Sequence, residues 1–169
     1  MMVVNPTTPA NYFHLMRTQM QRQKPLVVVA PKTLLRLAAA TSSMTELSSG
    51  QFQPVIATGN KQKRALLVSG KFYYELAARF PESYIVRLEQ LNPLPLDELK
   101  RVLEGCEELV WVQEEPENMG AFAFVEPRIR KSIKEMRYVG RAAAAAPATG
   151  IPSEHKRQLE EIFSSLSQK

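Results

Sequence analysis

Val110-Trp111-Val112-Gln113-Glu114-Glu115-Pro116-Glu117-Asn118-Met119-Gly120-Ala121-Phe122-Ala123-Phe124 decides how the rest of the 169-residue chain is read. The apolar run from Leu109 to Val112 has the character of a buried strand, and it stops abruptly at Gln113, Glu114 and Glu115. Open α/β sheets place their polar groups at such strand ends, because the body of the sheet is covered on both faces. Pro116 lacks the amide hydrogen that would continue a ladder, and Gly120 supplies a position without side-chain limits before a second aromatic run. The stretch therefore predicts a strand, a polar strand end and a tight loop.

Working outward, three further runs have strand character: Leu26 to Ala30 between prolines, Ala65 to Val68, and Tyr84 to Glu89. The continuous apolar run Leu26-Val27-Val28-Val29-Ala30 predicts a strand covered on both faces. Phe52 to Ile56 predicts a brief strand and Arg137 to Arg141 a last one. Helical signals alternate with these. Thr8 caps and Pro9 suits the first turn of a helix running to about Gln23, with Tyr12, Phe13, Leu15, Met16 and Met20 as its apolar face. Thr33 to Ala40 predicts a short helix, Ser43-Met44-Thr45-Glu46 matches a capping box, and Phe72 to Phe80 predicts another helix. Leu96 to Leu103 is amphipathic, with Leu96, Leu99, Val102 and Leu103 inward. A basic helical run follows Pro127, Ala142 to Gly150 is a low-complexity connection, and a final helix spans about Pro152 to Leu166. This alternation predicts a single α/β domain with a mostly parallel sheet, right-handed crossovers and helices on both faces. Residues 1–151 form its body and residues 152–169 its C-terminal helix.

Composition narrows the function. With 44% hydrophobic residues the chain buries an ordinary core and has the size of one domain. No apolar run approaches the ~20 residues that cross a bilayer as a helix. Cys106 is the only cysteine, which excludes an internal disulfide, and His14 and His155 are the only histidines, which excludes a local Cys/His zinc site. Cys106 stands among Glu104, Glu107 and Glu108, whose charges raise a thiol pKa, so it reads as structural. His14 has no Ser, Cys or Asp partner nearby and reads as a hydrogen-bonded histidine. The formal charge of +5 is unevenly spread: no Asp or Glu precedes Glu46, whereas Arg17, Arg22, Lys24, Lys32 and Arg36 do. A basic, acid-poor N-terminus also characterises mitochondrial transit peptides, but Pro6, Pro9 and the strand-like run after them favour folded structure. Nucleic acid is not indicated, since only net charge points to it.

Two groups of residues carry candidate chemistry. Ser69-Gly70-Lys71 joins a strand to a helix, where backbone N–H groups and a lysine suit a phosphate or carboxylate. The spacing is not that of a P-loop, and the dinucleotide fingerprint G-x-G-x-x-G is missing. Arg87 and Glu89 share one face of an otherwise apolar strand and need partners there. They read as a mutual or network ion pair, with Arg87 beside Lys71 at an anion as the alternative.

The motifs together carry a resemblance. Asn5-Pro6-Thr7-Thr8-Pro9-Ala10-Asn11-Tyr12-Phe13-His14, Ser69-Gly70-Lys71 with Tyr73-Tyr74, and Val86-Arg87-Leu88-Glu89-Gln90-Leu91 are three of them. Lys24-Pro25-Leu26 with Pro31-Lys32 and Leu34-Leu35-Arg36, Gln113-Glu114-Glu115-Pro116 with Asn118-Met119-Gly120-Ala121, and Tyr138-Val139-Gly140-Arg141 with Pro147-Ala148-Thr149-Gly150 complete the set, which spreads over almost the whole chain. The sequence resembles the C-terminal domain of the thiamine-diphosphate-dependent decarboxylase component of 2-oxoglutarate dehydrogenase and its 2-oxoadipate relative. Phe122 stands where that family usually has tryptophan, and Ala142 where it usually has proline.

The resemblance implies the transketolase C-terminal fold and a mitochondrial setting. It also implies that thiamine diphosphate and magnesium belong to preceding domains, so no cofactor, metal or catalytic residue is assigned to this chain. Two roles follow from it: a non-catalytic interaction or scaffold subunit of a larger assembly, or the separately encoded C-terminal part of a working split decarboxylase. Protein partners are expected in both. By the same resemblance, Ser69, Lys71 and Arg87 are the candidates for an acyl-coenzyme A or nucleotide effector. Gln113, Glu114, Glu115, Asn118 and Gly120 then read as a strand-end motif that fixes a loop and a domain interface.

Overall fold

The computed structural model describes residues 1–167. Its main sheet has five strands in the order β3 (Val55–Thr58), β5 (Tyr84–Leu88), β4 (Arg64–Val68), β7 (Glu108–Pro116) and β8 (Arg137–Arg141). Four run parallel and β3 pairs antiparallel at one edge. The period of two along each strand divides the core between the faces. Leu67, Val86 and Trp111 point to one side, where they meet Leu99 and Leu103 of α4 (Leu96–Leu103) and Val125 and Ile129 of α5 (Phe122–Ser132). Leu66, Val68, Val110 and Val112 point to the other, against Phe72 and Leu76 of α3 (Phe72–Arg79) and Ile162, Phe163 and Leu166 of α6 (Pro152–Ser167). The expected α/β domain with helices on both faces is thus observed.

A second, smaller sheet was not expected. β1 (Met2–Val4) lies at its centre, parallel to β2 (Leu26–Val28) and antiparallel to β6 (Gln90–Asn92). The run from Leu26 to Ala30 is therefore an edge strand with Val27 and Val29 exposed, not a strand covered on both faces. Hydrophobicity alone does not distinguish a buried strand from an uncovered edge.

α1 (Pro9–Met20) starts as expected, with the Thr8 hydroxyl accepting from the Asn11 N–H at 3.2 Å. Its apolar face is narrower than expected: Leu15 is buried against Met2 and Val4, while Tyr12, Phe13 and Met20 are exposed. A three-stranded sheet is too small to cover a broad stripe. Lys32–Arg36 forms a 3-10 turn rather than a helix to Ala40. α2 (Met44–Ser49) carries the expected capping box between Ser43 and Glu46. α5 begins at Phe122 and contains Pro127, so it starts earlier than the proline implied. Burial of Val125 and Ile129, one helical turn apart, outweighs the one backbone bond that Pro127 cannot make.

Candidate functional site

The carboxyl end of β7 is organised by one side chain. Gln113 is buried, and its carbonyl Oε1 accepts from Trp111 Nε1 at 2.8 Å and from the Phe122 N–H at 3.3 Å. Its amide Nε2 donates to the carbonyls of Pro116 at 3.0 Å and Met119 at 2.8 Å. One amide thus ties the strand, the loop from Pro116 to Ala121 and the start of α5. Gly120 completes the closure at φ +67°, and a Cβ there would stand 2.9 Å from Gln113 Oε1. Pro116 does not end the ladder at Gln113: the register shifts after Val112, and Pro116 pairs with Arg141.

Asn118 extends the arrangement to the alanine-rich connection, donating to Ala144 O and accepting from Ala144 N, each at 3.1 Å. The Tyr138 hydroxyl donates to Arg141 O at 2.8 Å and lies 3.1 Å from Glu115 O, and burial pushes its pKa up to about 12. Desolvation pushes the Glu115 carboxyl up from the usual carboxylate range, with the Glu114 charge adding to it.

A second polar group lies at the end of β5. Glu89 is fully buried and accepts from the Thr7 N–H at 2.7 Å, the Thr7 hydroxyl at 2.5 Å and Asn11 Nδ2 at 2.9 Å. Burial pushes its carboxyl up, while the Thr7 and Asn11 donors oppose that shift. Arg87 Nη1 donates to Thr7 Oγ1 at 3.0 Å, and the guanidinium sits 4.0 Å over the Tyr73 ring. The expected Arg87–Glu89 pair is therefore mediated by Thr7. Tyr74 donates to Thr7 O at 2.6 Å, so the segment before α1 is bolted to the main sheet. Thr7 and Asn11 were not foreseen as partners; the need of an apolar-strand glutamate for donors was the signal.

The three anion candidates are each engaged by different partners. Ser69 donates to Leu88 O at 3.1 Å and accepts from Asn5 Nδ2 at 3.3 Å. Lys71 Nζ is 2.6 Å from Glu114 and 3.9 Å from Glu75, whose carboxyl burial pushes up. Arg87 is held by Thr7 and Tyr73. Cys106 is buried, and burial rather than its acidic neighbours raises its thiol pKa. His14 is buried with Nε2 2.7 Å from Glu46 O and Nδ1 3.0 Å from Arg17.

The family model described as 2-oxoglutarate dehydrogenase C-terminal matches residues 41–166. The chain belongs to that family. Relatives include a 2-oxoadipate dehydrogenase complex component E1 from Danio rerio, 43% identical over 98% of this chain and 20% of that protein. The human protein of the same name is 42% identical over 96% of this chain and 20% of its own length. A 2-oxoglutarate dehydrogenase E1 component of Brucella abortus (strain S19) is 42% identical over 94% of this chain and 19% of its length. This member of the 2-oxoglutarate dehydrogenase C-terminal family thus spans about a fifth of the relatives it matches.

Proposed function

We propose that this chain is a non-catalytic interaction or scaffold subunit, a 2-oxoglutarate dehydrogenase C-terminal domain acting within a larger mitochondrial assembly. One observation carries the reading. Among the described residues, the large apolar side chains left exposed are Met1, Tyr12, Phe13, Met20, Val27, Val29, Leu35, Leu37 and Met44, with Ile151 alone outside residues 1–45, about the first quarter of the chain. That same quarter holds five basic and no acidic residues before Glu46, a charge equal to the formal +5 of the whole chain. Apolar surface with a cationic surround suits a partner face that is apolar and acidic. The partner in this reading is a protein surface of a dehydrogenase assembly.

The second reading is the C-terminal part of a split, working 2-oxoglutarate dehydrogenase. It is favoured by 42–43% identity over 94–98% of the chain. In that case thiamine diphosphate and magnesium are held by partner domains. The carboxylates of Glu75 and Glu114 beside Lys71 disfavour a diphosphate on this chain. An acyl-coenzyme A or nucleotide effector at Ser69, Lys71 and Arg87 is a separate proposal, in which the anion displaces Glu114 and Glu75 from Lys71.

Purification of the native assembly, with identification of its chains, tests these readings. The scaffold reading expects stable co-purification with other complex subunits and no equimolar decarboxylase chain. Equal recovery with a thiamine-diphosphate-binding decarboxylase chain establishes the split enzyme instead, and recovery of the chain alone contradicts both.

A further inference from the structure

β4 and β7 are neighbours whose chains leave the sheet in opposite directions. β4 passes into α3, which packs with Val110 and Val112, whereas β7 passes into α5, which packs with Leu67 and Trp111 on the other face. The two exits open a crevice at the carboxyl ends of the strands, the place where open α/β sheets receive ligands. A cleft of about 390 Å³ lies there, within the range of small-molecule pockets. Its wall combines Ser69 from the end of β4 with Trp111, Gln113 and Glu115 from β7, Phe124 from α5, and Asn5 from the segment after β1. Val3 of β1 and Val29, the residue after β2, close the far side, so both sheets contribute.

The chemistry of this wall selects a ligand class. Its body is apolar and aromatic. Among the described residues that line it there is no Lys, Arg or His, and Lys71, whose charge reaches Glu115 from outside the wall, is paired to Glu114. The lining residues that carry side-chain acceptors are Glu115, Ser69 and the amides Asn5, Asn92 and Gln113. The Asn5 carbonyl Oδ1 is buried without a hydrogen-bond partner, and Glu115 has no ion-pair partner among the described residues. By contrast Glu114, the next residue along, is paired to Lys71 at 2.6 Å. Gln113 is saturated by its own loop, so it shapes the floor and leaves recognition to Asn5 and Glu115.

We propose that this switch-point cleft binds a small cationic amine with an apolar or aromatic body, its ammonium group placed at Glu115 and Asn5 and its body against Trp111 and Phe124. The cleft shares Ser69 with the anionic effector candidates, but Lys71 and Arg87 do not line it.

2-Phenylethylamine and phenylacetate, alike in size and opposite in charge, test this in the intact chain by amide and indole NMR shifts. The expected result is saturable shifts with the amine at Ser69, Gly120 and the Trp111 indole, and none there with the acid. Glu115→Gln is expected to weaken amine binding about tenfold while leaving the remaining spectrum in place. The proposal is overturned by equal shifts from both probes, by no amine shift at these residues into the millimolar range, or by an unchanged amine affinity in Glu115→Gln.

Discussion

Gln113 and Gly120 form a single mechanical unit, because the space that a Gly120 Cβ would need is occupied by the Gln113 amide. Gln113→Ala strands the Trp111 and Phe122 N–H groups and two carbonyls, and should cost about 2–4 kcal/mol in urea unfolding. Gly120→Ala should cost about 1–3 kcal/mol from its positive φ. The double variant should cost less than the sum, since the added methyl no longer meets the amide. Glu89 makes a prediction in pH. Its folded pKa is raised above the ordinary value of 4.5 by burial, so the folded state retains a proton that the unfolded chain has released. Stability is therefore lost as pH rises from about 4.5 through the raised value, and is level above it. Tm measured across that window should fall in the wild type, and this component should be absent in Glu89→Gln.

At the scale of elements, α6 closes one face of the main sheet through Phe163, which stacks on Phe72 with ring centroids 6.2 Å apart and meets Phe80 edge-on. Phe163→Ala should destabilise the domain by about 3–5 kcal/mol, read from denaturant midpoints at constant m. Elements of this kind were legible in the sequence, because α4 and α6 bury one face at helical spacing, while β4, β5 and β7 are continuous apolar runs buried on both faces. β1 and β6 were not, since three-residue strands carry too short a pattern to register. The breadth of α1's buried face and the exposure of β2 were misjudged for a related reason: apolarity marks what is to be covered, and another chain can be what covers it. At the candidate site, the sequence marks a strand end and a tight loop over Gln113 to Gly120, whereas the bonds from Gln113 to Pro116 and Met119 and from Asn118 to Ala144 have no local sequence signal. The role of Thr7 between Arg87 and Glu89 was not foreseen, because 80 and 82 residues separate the partners.

At the scale of the molecule, residues 1–45 combine an open β-edge, exposed Leu35 and Met44, and the net positive charge, while the remaining surface is balanced. Unprotected edges of this kind are tolerated when a partner covers them. Val27→Lys, Leu35→Glu and Met44→Glu alter exposed side chains, so each should change stability by no more than about 0.5 kcal/mol. Their effect should fall on association instead. The most direct measurement compares the native size and subunit composition of particles holding the wild-type chain with those holding the Val27→Lys/Leu35→Glu/Met44→Glu variant. The wild-type chain is expected to be incorporated with identified dehydrogenase-complex subunits and the variant to be recovered folded and free. Equal incorporation of both, or a wild-type chain found only as the free domain, would contradict it.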